Sequence, residues 1–197
     1  DEYTIVDELR GWLDIFMSLD IEKAVLHPGG ASSRKKGIHI EEIRNRQAER
    51  LRPLLEHIEG TNLIICIENT PDTETTVEGL LEIVRLSSSD NIGICLDTGH
   101  LNMADGDQED FILKAGNHLK ALHIHGNDGK SDQHTMPYAQ HRSRGYIDWL
   151  KVVQALKTIG YKGLFNLEIG GEGSCPLEIK LAKLDYLDTI IPIMLSQ

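Results

Sequence analysis

Gly93-Ile94-Cys95-Leu96-Asp97 is an apolar run closed by a carboxylate, and four other runs in the chain share its form. Glu68 closes Ile64-Ile65-Cys66-Ile67-Glu68, 29 residues before Asp97, and His125 closes Ala121-Leu122-His123-Ile124-His125, 28 residues after it. Farther out, Ala24-Val25-Leu26-His27 ends on His27 and Leu164-Phe165-Asn166-Leu167-Glu168 ends on Glu168. Near-continuous apolar runs are what parallel strands buried on both faces require, and these intervals leave room for a loop, a helix and a return. One charged strand end is equally well a solvated residue. Five in this rhythm predict an α/β fold, a TIM (β/α)8 barrel, whose C-terminal strand ends gather side chains at one mouth.

Between the runs, apolar residues recur at helical spacing. Ile5, Val6, Leu9, Trp12, Leu13 and Phe16 predict an amphipathic helix before the first strand. Further helices are expected over about 39–58, with Pro53 as a kink, and over about 76–86, 107–118, 147–159 and 176–194. No linker interrupts the βα rhythm, so residues 1–197 are expected to form one domain. Five strands do not close an eight-stranded barrel. The N-terminal βα units are therefore expected to be missing from this chain, which opens on a helix and without a methionine, leaving the first strand with an open edge. A self-contained open sheet is the alternative.

The composition, 40% apolar and 26% charged over 197 residues, is that of an ordinary soluble α/β domain. No stretch reaches the roughly 18 apolar residues of a spanning helix, and Asp1-Glu2-Tyr3-Thr4 does not begin a signal peptide. Three cysteines cannot all pair, and Cys66 and Cys95 fall inside buried strands, so a reducing, cytoplasmic setting is expected. The net charge of −11, with no basic stripe, disfavours a nucleic-acid partner. Small or metal-bridged substrates fit better.

Side chains at i and i+2 of a strand share a face. Cys66 with Glu68, Cys95 with Asp97, His123 with His125 and Asn166 with Glu168 should therefore point to one interior, the second of each pair nearest the mouth. Glu68, Asp97, His125 and Glu168 then form a mixed carboxylate and imidazole set suited to Mn²⁺, Mg²⁺, Co²⁺ or Zn²⁺. Carboxylates so crowded repel one another unless a cation lies between them. His123, a layer deeper, reads as a supporting or core histidine, and His100 as a second imidazole at the mouth or as part of a helix-capping turn. Two long polar connections, residues 28–38 and 126–146, are rich in glycine. The second carries Asp128, Asp132, His134, His141, Arg142 and Arg144.

Taken in order, LHPGG (26–30), CIENT (66–70), CLDTGH (95–100), HIHGNDGKSDQH (123–134), GYIDW (145–149) and FNLEI (165–169) resemble the xylose-isomerase-like barrels. That superfamily includes sugar isomerases, ketose 3-epimerases, inosose-handling enzymes and the endonuclease IV repair nucleases. In its isomerase and epimerase branch the resemblance implies one divalent metal on Glu68, Asp97, His125 and Glu168. It also implies proton transfer beside a carbonyl through an enediolate, with Glu68 and Glu168 as the catalytic pair and His100 binding substrate. In the nuclease branch it implies up to three zinc ions, with His27, His100, Asp132 and His134 as additional ligands.

One departure bears on substrate. Many relatives carry Gly-Glu-Gly before the tract matching Tyr146-Ile147-Asp148-Trp149, where this chain has Arg142-Ser143-Arg144-Gly145. Arg142 and Arg144 are candidates to clamp a substrate phosphate or carboxylate. The expected function is a divalent-metal-dependent sugar or polyol isomerase or epimerase acting on a small-molecule sugar. The alternative is an endonuclease-IV-like phosphodiesterase, and a third reading is a barrel that binds a sugar or partner without catalysis. No membrane partner is expected, and a homo-oligomer is left open.

Overall fold

The computed structural model of the protein describes residues 2–71, 74–139, 145–170 and 173–196. Among these residues four parallel strands make the sheet: β1 (Lys23–Leu26), β2 (Ile64–Glu68), β3 (Ile92–Asp97) and β4 (Leu119–His123), in that spatial order. Parallel neighbours need a crossover, and each crossover is helical. α1 (Glu2–Ser18) precedes β1, and α2 (Ala31–Lys35) and α3 (Ile40–His57) lead to β2. α4 (Val77–Ser87) leads to β3, and α5 (Thr98–Met103) and α6 (Gln108–Ala115) lead to β4. α7 (Trp149–Thr158) and α8 (Leu177–Ser196) follow.

One face of the sheet is a hydrocarbon layer. Ile65, Ile67, Ile92, Ile94, Leu96, Leu119, Leu122 and Ile124 are buried in one cluster with Leu51 and Leu55 of α3, Leu80 and Ile83 of α4, Phe111 and Ile112 of α6, and Val152 of α7. Register places Glu68 level with Cys95, and Asp97 level with His123, on the opposite face. An irregularity in the β3–β4 ladder pairs Ile94 with Leu119 and Cys95 with Ala121, so Lys120 is an inserted residue. That bulge is why Leu119 and Leu122, three apart, both face the helices while His123 still faces the interior.

Several expectations need adjusting. The connection 28–38 is not all loop, because the left-handed Gly30 (φ 107°) starts the short helix α2. β4 stops at His123, so His125 lies just beyond the strand. The fifth run forms a single parallel bridge, Ile124 with Leu167, held by Ile124 N–H to Asn166 O (2.8 Å) and Glu168 N–H to Ile124 O (3.1 Å). It lies at the outer edge with no neighbour on its far side among the described residues, and Leu164 is 82% exposed. A strand needs partners to extend.

The described strands curl into part of a TIM barrel without closing it. Both flanks leave apolar side chains in water: Trp12, Ile15 and Val25 at the β1 edge, and Leu177, Ile179 and Leu184 on α8. Among the described residues no helix is long and apolar enough to cross a membrane.

Candidate functional site

The C-terminal strand ends bring together residues from all five runs. Glu68, buried at the end of β2, turns Oε1 toward His100 Nδ1 (3.0 Å) and His27 Nε2 (3.5 Å). Its Oε2 lies 3.1 Å from His123 Nδ1, and the same nitrogen is 3.0 Å from Glu168 Oε2. Asp97, at the end of β3, has both carboxylate oxygens 3.0 Å from His125 Nε2. Asp132, from the long connection after β4, reaches back to His100 Nε2 (3.4 Å), His134 Nε2 (3.2 Å) and His125 Nε2 (3.8 Å).

His27, Glu68, Asp97, His100, His125, Asp132, His134 and Glu168 thus meet at one mouth. His27 sits at its rim, with a 66% exposed side chain. His123, expected a layer deeper as a supporting group, stands against both glutamates. Arg142, Arg144 and His141 lie outside the described residues.

Backbone chemistry explains the placement. Asp97 is the N-cap of α5 and its Oδ1 accepts from the His100 N–H at 2.7 Å, so the capping turn and the clustered imidazole are one feature. Thr98 Oγ1 accepts from the His125 N–H (3.0 Å) and donates to the His125 carbonyl (2.6 Å), continuing the sheet past the end of β4. The His134 Nδ1–H donates to the Glu168 carbonyl at 2.7 Å, and its ring stacks on His125 with centroids 3.9 Å apart. Gln47 Nε2 holds the HPGG loop through Gly29 O (2.6 Å).

Sequence alone does not single out these supports. Asn69, Thr98 and Asn127 are fully buried polar residues beside the motifs, and Gly99 is there because a Cβ would stand 2.0 Å from His125 Cε1. The signal that could have found them is the short polar residues directly after the middle three runs, Asn69-Thr70, Thr98 and Asn127-Asp128.

The electrostatics are those of interlocked opposite charges. Burial alone would raise the Glu68 carboxyl, but the imidazoles of His100, His123 and His27 hold it down at about 2. Burial would lower His100, and Glu68, Asp97 and Asp132 override it, raising the ring to about 9. His123 is raised against burial by Glu68 and Glu168, and His134 by the Glu168 carbonyl and Asp132. Burial lifts the Cys66 thiol to about 12 and Cys95 well above its ordinary value.

Among the described residues, four sets of three donor atoms each lie within 4.8 Å of one another: Glu68, Asp97 and His100; His125, His134 and Glu168; Asp97, His123 and Glu168; and Glu68, Cys95 and His123. An open cleft of about 430 Å³ adjoins them, lined in part by His27, Thr70, His100 and Asp132. Larger clefts lie elsewhere, about 870 Å³ at the N-terminal strand ends and about 1090 Å³ between α1 and α3. Size alone does not mark the chemistry.

The xylose isomerase-like TIM barrel family matches residues 2–188. The chain belongs to that family. An uncharacterized protein of Methanocaldococcus jannaschii is 32% identical over 170 residues, covering 83% of this chain and 56% of that protein. Probable endonuclease 4 of Ureaplasma parvum is 28% identical over 165 residues, 76% of this chain and 48% of that one. The crystal structure of a D-tagatose 3-epimerase-like protein superposes with a TM-score of 0.75 at 28% identity, covering 96% of this chain and 69% of that chain. The chain spans about half the length of the curated relatives it matches.

Proposed function

We propose that this chain carries the metal-binding and proton-transfer centre of a sugar or polyol isomerase or epimerase that works through an enediolate. The observation that carries the reading is His123 Nδ1 between Glu68 Oε2 (3.1 Å) and Glu168 Oε2 (3.0 Å). Carboxylates from two separated segments thus lie within 3.1 Å of one ring nitrogen. Moving a proton off a carbon and back needs two such groups within reach of one place. The likeness to the 3-epimerase-like structure supports it.

The donor set fits a divalent cation on its own chemistry. With its Nδ1–H given to a carbonyl, neutral His134 turns a lone pair on Nε2 toward Asp132, and fully buried His125 faces both Asp97 oxygens while its Nδ1 has no partner among the described residues. A lone pair facing a carboxylate is repulsive unless the ring gains a proton or a cation lies between. Glu68, Asp97, His125 and Glu168 would hold the ion, which when bound polarises the substrate's carbonyl and hydroxyl oxygens.

The residues then divide the work. One of Glu68 and Glu168 takes the proton beside the carbonyl, charge moves onto the enediolate oxygens, and the other glutamate returns a proton to the opposite face. His100, at the wall of the cleft, holds a substrate hydroxyl. Arg142 and Arg144 would clamp an anionic substituent. A cleft of this size is ordinary for a small ligand, in the range of about 300–1,000 Å³.

A second reading, an endonuclease-IV-like phosphodiesterase with up to three zinc ions, is favoured by Asp132 between His100 and His134 and by His27 beside Glu68. These ligand types exceed a one-metal site, and the relative named a probable endonuclease 4 agrees. The net charge of −11 weighs against a DNA backbone as partner.

The deciding experiment offers the protein ketoses, inososes and their phosphates in D₂O with Mn²⁺ or Co²⁺, beside abasic-site DNA. Deuterium entering the carbon next to the carbonyl is expected, and Glu168→Gln should abolish it. DNA nicking without exchange would reverse the ranking.

A further inference from the structure

Cys95 enters neither the ligand set nor the proton transfer proposed above, yet it lies against them. It sits level with Glu68 on the interior face, two residues beneath Asp97 on the same strand. Its Sγ, a Glu68 carboxylate oxygen and a His123 ring nitrogen all lie within 4.8 Å of one another. The residue level with Cys95 on β4 is Ala121, the smallest side chain that keeps a Cβ. Sulfur, nitrogen and oxygen donors therefore face one another one layer below the mouth.

Two further observations bear on this cluster. Glu68 divides its oxygens, with Oε1 toward His100 and His27 and Oε2 toward His123. One carboxylate can thus serve two positions, as bridging carboxylates in two-metal centres do. His123 Nδ1 is buried and has no hydrogen-bond partner among the described residues, although it approaches both carboxylates. A buried imidazole nitrogen without a hydrogen bond needs an explanation.

We infer that Glu68 Oε2, Cys95 Sγ and a ring nitrogen of His123 form an inner site for a zinc-class divalent cation, separate from the Asp97, His125 and Glu168 donors and joined to them through Glu68. Thiolate with imidazole and carboxylate is a donor mix for Zn²⁺ or Co²⁺ rather than for Mg²⁺ or Ca²⁺. Bonds of about 2.0–2.3 Å let one ion span donors at this spacing. Binding expels the Cys95 thiol proton, one per ion, and nothing is oxidised or reduced. The inner site does not depend on which reaction the mouth performs.

The test is a Co²⁺ titration of the metal-free protein followed by absorption, with bound metal counted by elemental analysis. A sulfur-to-cobalt charge-transfer band and two ions per chain are expected. Cys95→Ser should lose the band and one ion, Cys66→Ala and Cys175→Ala should keep both, and His123→Gln should weaken the band-forming site about tenfold or more. If Cys95→Ser does not fold, X-ray absorption of the zinc-loaded wild type decides: a sulfur neighbour supports the site, and a shell of nitrogen and oxygen alone overturns it. Cobalt bound without a charge-transfer band overturns the inner site and leaves the mouth centre standing. No bound cobalt at all overturns both.

Discussion

Asn69 and Asp97 exchange two hydrogen bonds across the ends of β2 and β3: Asn69 Nδ2 donates to the Asp97 carbonyl (2.9 Å) and the Asp97 N–H donates to Asn69 Oδ1 (2.7 Å). Both residues are buried. The backbone of Asp97 is thereby fixed from one side while its carboxylate caps α5 on the other, leaving little freedom in where that carboxylate points.

Replacing Asn69 with Leu strands two buried backbone groups, which costs about 1–3 kcal/mol each. Divalent-ion affinity should fall about 10–100-fold as well, the usual loss when a group that orients a ligand is removed. Denaturant unfolding and metal titration of Asn69→Leu measure the two effects. Unchanged affinity would mean that Asp97 is not held through Asn69.

Gly99 is a spacing device for His125. A Cβ there would stand 2.0 Å from Cε1 of the buried ring, which cannot retreat because His134 stacks on its face. Gly99→Ala is expected to lower stability by about 1–3 kcal/mol through overpacking. Its divalent affinity should drop by more than the stability loss explains, read by metal titration at a temperature where the variant is fully folded.

Without metal, stability should depend on pH in two steps. Glu68 is depressed from 4.5 to about 2, so its contribution is present above pH 4.5 and is lost as pH falls through about 2. His100 is raised from 6.5 to about 9, so its contribution is full below pH 6.5 and is lost as pH rises through about 9. The metal-free Tm should hold between about pH 4.5 and 6.5 and decline by pH 9, and His100→Gln should flatten the alkaline decline. A wild-type Tm that does not fall between pH 6.5 and 9 would contradict the assignment.

The central strands were legible because burial on both faces leaves no polar residue to interrupt them, as Ile92–Asp97 illustrates. Glu68 and Asp97 were readable for the same reason, each being the first charge after such a run. The end of β4 was not, since period-two alternation continues to His125 although the ladder passes at that point to the Thr98 side chain. The bulge at Lys120 leaves no local mark, because an inserted residue is defined only by the strand opposite. Phe165–Glu168 reads as a strand, but a strand's extent depends on neighbours that a single run cannot declare. Alternation gives His123 its face, while its approach to Glu68 and Glu168 depends on side chains from three separate segments.

Whether these strand ends hold a divalent cation is read from the melting temperature of metal-free protein titrated with Mn²⁺, Co²⁺, Zn²⁺ and Mg²⁺, with Asp97→Asn in parallel. At one hundred times the dissociation constant a bound ion adds about 2.7 kcal/mol, a shift of several degrees in Tm. That shift is expected for at least one of the four ions in the wild type, and its loss in Asp97→Asn. A wild-type Tm unmoved by all four, or an equal shift in Asp97→Asn, would contradict it.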